Sequence, residues 1–182
     1  MEHYYQNIHG WFNYESLYSE MVKRFPSGSH FVEIGCWLGR SGSYLGVEII
    51  NSGKNIRLDC VDTWLGAPEL MEEEVVKNGT LYADFLKNVE SLRTIITPIR
   101  LTSTQASHLY QDESLDFVFI DADHTKEGFG ADLNCWYPKV KGDGVIAGHD
   151  ADYPEIKKLL DVFFLDKNLK IIEPNIWVHY KQ

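Results

Sequence analysis

The sequence predicts an α/β domain whose sheet is mostly parallel and closes in an antiparallel hairpin. Three observations lead there. Apolar strand runs alternate with helical patterns along the chain, and His30 to Gly42 reads as a buried strand, a glycine turn and a helix start. The last two strand runs, 169–172 and 175–180, are joined through Glu173-Pro174, a link short enough to require antiparallel pairing.

Taken in order, Trp11 to Phe25 carries apolar or aromatic residues at helical spacing and stops at Pro26-Ser27-Gly28. Residues 1–27 therefore form a helical extension packed on the sheet, although Tyr4, Tyr5, Tyr14 and Tyr18 would also suit a lid or an acceptor-binding wall. Phe31 to Ile34 is the first strand; the chain breaks at Gly35, turns through Gly39, and enters a helix carrying Tyr44, Leu45, Val47, Ile49 and Ile50. Such a junction brings bare backbone and helix N–H groups close to a ligand. Its glycines, Gly35, Gly39 and Gly42, are spaced four and three. That spacing is neither the Gly-x-Gly-x-x-Gly of dinucleotide sites nor a phosphate loop, which needs a lysine after the last glycine. Glu33, in the strand end, would also repel a phosphate.

Ile56 to Asp62 is the second strand. Asp62 follows Gly35 by one helix and one strand, so both should emerge at the carboxyl edge of a parallel sheet, where a carboxylate can accept two ribose hydroxyls. Capping of the next turn would account for Asp62 taken alone, and accounts less well for it at this distance from a glycine loop. Residues 66–80 make a longer connection than usual and read as a mobile insertion at the mouth of the site, with Trp64 able to stack on an adenine or an acceptor. A surface helix with a solvated charged face would explain the insertion equally well. Pro98 to Leu101 is the third strand; Thr102-Ser103-Thr104-Gln105 can cap a helix over 106–110.

Leu115 to Ile120 reads as a fully buried strand ending in Asp121-Ala122-Asp123-His124. After a helix over 126–137, the strand Val145-Ile146-Ala147 ends in Gly148-His149-Asp150. Adjacent parallel strands would bring Asp121, His124, His149 and Asp150 to one point, an oxygen and imidazole set that suits Mg2+, Mn2+, Fe2+ or Zn2+. The alternative is local: Asp150 caps the helix over 154–164, and the histidines hydrogen-bond their neighbours.

Composition bounds the function. A chain of 182 residues, 44% hydrophobic, can bury one core but not two ordinary ones. Its net charge of -10, without a basic cluster, argues against nucleic acid or an anionic membrane as partner and favours a small neutral or cationic ligand. Cys36, Cys60 and Cys135 are odd in number and far apart, which suggests neither a disulfide framework nor a zinc motif; each reads as a small buried apolar residue. No leader-like or membrane-length apolar run occurs, so a cytoplasmic location is expected. The aromatic N-terminus makes a homodimer reasonable.

Together, Glu33-Ile34-Gly35 with Gly39, Val61 to Gly66, Phe119 to His124 and Gly148-His149-Asp150 resemble the class I S-adenosylmethionine (SAM) methyltransferases. The resemblance spans about residues 28 to 180. Within that class it looks like the branch of small bacterial sugar or antibiotic O-methyltransferases of the macrocin type. It implies a single Rossmann-like, doubly wound domain of seven strands over 1–182. It also implies that Glu33 and the loop with Gly35, Trp37, Gly39 and Ser41 hold the methionine part, and that Asp62 with Thr63 holds the ribose. Trp64, Ser103 and Thr104 would lie on the adenine side, and Asp121 beside the cofactor.

The same resemblance implies methyl transfer to a small-molecule or sugar hydroxyl, with His124 or His149 as base. By the same resemblance Asp121, with Asp150 and His149, would be the candidate ligands for Mg2+ or another divalent metal. His149-Asp150 stands where the macrocin type carries Glu-Asp, so metal dependence stays open. A metal-free N- or O-methyltransferase and a non-catalytic SAM-binding module are the alternatives; release of S-adenosylhomocysteine separates enzyme from module.

Overall fold

The computed structural model describes residues 1–67, 70–165, 168–172 and 175–182. Its sheet has seven strands: β1 (His30–Ile34), β2 (Arg57–Asp62), β3 (Ile96–Arg100), β4 (Leu115–Ile120), β5 (Val140–Gly148), β6 (Leu169–Ile172) and β7 (Ile176–Tyr180). They lie in the order β3-β2-β1-β4-β5-β7-β6. The first five are parallel, and β7 runs antiparallel to both β5 and β6. The chain order reverses between β1 and β4, the switch point at which an open α/β sheet leaves a crevice at its carboxyl edge. The two residues expected to make the tight link of the hairpin, 173 and 174, lie outside the described residues.

Strand parity divides the core. Phe31, Leu58, Cys60, Phe117 and Phe119 face one layer, packed by α1 (Glu15–Arg24), α2 (Arg40–Ser52) and the short helices α3 (Glu74–Lys77) and α4 (Leu81–Asn88). Val32, Ile34, Val61, Val118 and Ile120 face the other, packed by α5 (Ser103–Ser107), α6 (Lys126–Trp136) and α7 (Pro154–Phe163). Burial on both faces is why these strands read as continuous apolar runs rather than alternating ones. Pro98 is tolerated in β3 because that strand is the sheet edge.

Three elements start three or more residues from where the sequence places them. The first helix begins at Glu15, not Trp11; Trp11 is 64% exposed and belongs to an extended segment laid across the glycine loop. The helix expected at 106–110 instead spans Ser103–Ser107. Thr102 and Gln105 form a reciprocal capping box that starts it early. The strand expected at Val145 starts at Val140, with a bulge in its pairing to β4. Among the described residues, no helix is long and apolar enough to cross a membrane.

Candidate active site

The site is built where β1, β4 and β5 end. Gly35 donates its N–H to Val61 O at 2.9 Å, and Asp121 donates its N–H to Ile34 O at 2.8 Å, so the loop after β1 is fastened to both neighbours. Gly35 has φ +84°, and a Cβ there would lie 1.8 Å from the carbonyl oxygen of Asp121. The glycine is thus required twice, by conformation and by contact. Trp37 (φ 48°) and Gly39 (φ 85°) complete a turn in the left-handed region, and α2 starts immediately after it.

Asp62 holds this loop in place. One carboxylate oxygen accepts the backbone N–H of Cys36 at 2.8 Å and of Trp37 at 3.0 Å, and the other accepts that of Trp64 at 2.7 Å. The residue read as a ribose ligand therefore already spends both oxygens on the polypeptide. The expectation that Trp64 stacks on a ligand does not hold. Its indole is 3% exposed, packs on Tyr82 and Phe85, and donates Nε1–H to Trp37 O at 2.9 Å. Thr63 is half-buried, and its hydroxyl accepts Leu65 N–H at 3.2 Å.

Glu33 lies beneath the loop, not beside it. Strand parity turns it into the α1–α2 layer, where it is fully buried and accepts the Tyr18 hydroxyl at 2.7 Å. Cys60, its register partner on β2, stands 3.8 Å away, and the Ser41 hydroxyl also bonds it. Burial, opposed by the hydrogen bonds from Ser41 and Tyr18 and assisted by the charge of Asp121, pushes its pKa up to about 7. A carboxyl raised in the folded state holds its proton more tightly there than in the unfolded chain. Stability should therefore fall as pH rises from about 4.5 to about 7, with the full penalty present above that window. The shift corresponds to about 3 kcal/mol. Glu33→Gln should flatten that slope, matching the parent at acid pH and exceeding it above pH 7. Denaturant midpoints measured across the window check this, and parallel curves for the two proteins would refute it.

The second half of the site is an acid–imidazole cluster. Asp150, at the unusual φ of 62°, accepts His149 Nδ1–H at 2.8 Å on one oxygen and pairs through the other with His124 Nε2 at 3.1 Å. Asp121 lies 3.9 Å from both imidazoles. The sequence reading thus placed the four residues together correctly, on neighbouring parallel strands. Two further groups were not anticipated in this role. Tyr14 donates its hydroxyl to Asp121 at 3.2 Å while its ring stacks on Phe119, and the Asn175 side-chain amide meets His149 Nε2 at 2.8 Å. Tyr14 was visible only as one of several tyrosines. Asn175 gave no signal, because the hairpin alone returns it to the end of β5.

Electrostatics follow from this packing. Burial raises the pKa of Asp121, although the His149 charge opposes it. Burial disfavours the charged form of His149, but the Asp150 hydrogen bond and the charges of Asp121, Asp150 and Asp152 hold its pKa above the ordinary value. Asp121, His149 and Asp150 can each place one ligand atom within 4.8 Å of the others. Two carboxylates and an imidazole fit a divalent cation. The acidic rim next to the loop equally fits a sulfonium.

The remaining sequence candidates lie around this centre. The Ser103 hydroxyl bonds Asp132 and accepts Trp136 Nε1–H at 2.8 Å, so it braces α5 on α6; Thr104 is exposed. Ser41 is buried in the first turn of α2. An N-terminal strap crosses the loop: Arg40 Nη1 donates to Gly10 O at 2.9 Å, and the Trp11 and Trp37 ring centroids lie 6.4 Å apart. In the 66–80 insertion, where 68 and 69 lie outside the described residues, Val75 and Val76 pack on the core. His9 and Glu73 join strap and insertion at 3.7 Å.

A family model described as a methyltransferase domain matches residues 32–151. No curated protein matches the chain. Among solved structures, the O-methyltransferase NovP superposes with a TM-score of 0.68 at 15% identity, over 92% of this chain and 79% of that one. A putative caffeoyl-CoA O-methyltransferase from Staphylococcus aureus gives 0.65 at 14%, over 97% and 87%. Aeropyrum pernix fibrillarin with natively bound S-adenosyl-L-methionine gives 0.57 at 16%, over 90% and 73%.

Proposed function

Since the chain belongs to the methyltransferase-domain family and is a SAM-dependent methyltransferase, we propose that it methylates a hydroxyl oxygen of a small molecule. The supporting observation is the contact between the glycine loop and the acid–imidazole cluster, where Gly35 and the Asp121 carbonyl touch. The loop with Asp121 at its edge would hold the methyl donor, and His124, whose side chain is 37% exposed, is open to an acceptor in the crevice. The O-methyltransferase neighbours support an oxygen acceptor, and the net charge of -10 supports a small acceptor over a polyanion. A sugar or natural-product hydroxyl of the macrocin type is the acceptor class we favour.

The reaction is an in-line displacement. The acceptor oxygen attacks the methyl carbon, the carbon–sulfur bond breaks with its electron pair staying on sulfur, and the hydroxyl proton passes to His124. Asp150 holds that imidazole and stabilises the imidazolium that forms. His149, with one nitrogen on Asp150 and the other on Asn175, positions Asp150 rather than receiving the proton. The strap carrying Trp11 and the exposed Tyr153 ring, 5.9 Å from His124, flank the entrance and align the acceptor. If a divalent cation is held, Asp121, Asp150 and His149 are its ligands, and it supplies a lower acceptor pKa.

The test is S-adenosylhomocysteine release with a panel of phenols and sugar hydroxyls, with Mg2+ and with a chelator. His124→Ala should lower kcat by about 100-fold or more while SAM affinity stays near that of the parent. An unchanged kcat would remove His124 as the base. Methylated nitrogen in the product would overturn the acceptor class. SAM binding without turnover on any acceptor would favour a binding module.

A further inference from the structure

The cluster beneath the glycine loop has a chemistry that methyl transfer does not use. Cys36, in the loop, and Cys60, on β2, are buried and bring their thiols together under α2. Glu33 completes the group: one ligand atom from each of Glu33, Cys36 and Cys60 lies within 4.8 Å of the other two. The arrangement has a simple origin. Glu33 and Cys60 are register partners on adjacent strands and share the same strand face, and the turn at Gly35 carries Cys36 back over both. The two thiols hydrogen-bond each other, and their remaining contacts are weak and long, Cys36 Sγ to Glu33 O and Val61 O at 3.5 Å and Cys60 Sγ to Glu33 Oε2 at 3.8 Å. Among the described residues Glu33 forms no ion pair, so its carboxylate, when charged, is balanced only by hydroxyl and thiol donors. A buried carboxylate without a cation is a costly arrangement.

We propose that Glu33, Cys36 and Cys60 form a site for a thiophilic divalent cation of the Zn2+ class, separate from the acid–imidazole cluster. Two sulfurs and one carboxylate oxygen select such an ion over Mg2+ or Ca2+, which prefer oxygen alone. Three protein donors within that spread need only a small contraction to reach tetrahedral bonding distances. Binding exchanges protons for metal: both thiols ionise, their protons go to solvent, and the cation bonds the two thiolates and the Glu33 carboxylate. No electron is transferred. Because Cys36 also gives its backbone N–H to Asp62, the ion would fasten the turn that carries the methyl donor. The site lies under the loop, so entry requires the turn after Gly35 to open.

Cobalt is the probe. The reduced, chelator-treated 182-residue protein should develop a thiolate-to-cobalt charge-transfer band with Co2+, bleached by Zn2+ and unaffected by excess Mg2+. Cys36→Ser and Cys60→Ser should each lose the band, and Cys135→Ser should keep it. Asp150→Ala, which alters the other cluster, should also keep it, because oxygen and imidazole ligands give no thiolate band. Circular dichroism checks that the serine variants fold. A measurement on the unmodified protein does not depend on them: Zn2+ should slow alkylation of Cys36 and Cys60, but not of Cys135, in peptide mapping. No thiolate band in the parent, a band surviving in both serine variants, or labelling rates indifferent to Zn2+ would each overturn the site.

Discussion

Gly35→Ala is expected to destabilise the protein by at least about 4 kcal/mol, a drop in melting temperature of roughly 10 °C, and to abolish SAM binding. The added Cβ would stand 1.8 Å from the Asp121 carbonyl oxygen, well inside contact distance. Neither side can yield, since hydrogen bonds from Gly35 to Val61 and from Asp121 to Ile34 pin the loop and the end of β4 together. The backbone adds a second cost, because φ is +84°. Gly53→Ala is the control that separates the two. At φ +68° with nothing within 4 Å, it carries the conformational cost alone, about 1 kcal/mol. Thermal melts and SAM calorimetry on both variants decide the matter. Equal effects at the two glycines would mean that the contact with Asp121 carries no weight.

Asp62→Ala comes next in size. Three backbone N–H groups would lose a charged acceptor, at about 1.5 kcal/mol or more each, and the sum is moderated because water reaches part of the loop. The expected cost is about 4 kcal/mol, together with SAM binding too weak for calorimetry, because the turn that cradles the donor is no longer held. Asp62→Asn should fall between: its carbonyl oxygen keeps one side of the clamp, while its NH2 faces donors on the other. Had Asp62 acted only on the ribose, the alanine variant would bind SAM poorly yet melt like the parent. That outcome would restore the reading of Asp62 as a pure ligand and refute the clamp.

Much of this site was legible in the chain. Gly35, Gly39 and the carboxylates at the ends of the second and fourth strands were found because glycine at a turn and charge after an apolar run are local signals. The meeting of Asp121, His124, His149 and Asp150 followed from parallel neighbours ending at one edge. What failed was the side-chain direction of single residues. Trp64 looked like a stacking platform, but a left-handed backbone turns its indole into the core. Ser103 looked like a cofactor contact, but α6 presents Asp132 and Trp136 to its hydroxyl.

By itself, the sequence determined the seven strands, the helices between them and the carboxyl edge at which the chemistry collects, because hydrophobic period and glycine position act over short range. Only the tertiary structure decided which groups face that edge and which lie beneath it. Strand parity sank Glu33 against Tyr18 and Cys60, and the hairpin brought Asn175 to His149. The extended N-terminal segment laid Tyr14 onto Asp121. These contacts join residues from 15 to 107 positions apart, and no local pattern encodes them. They arise when two faces of one sheet are packed and each side chain takes the side that its strand position assigns.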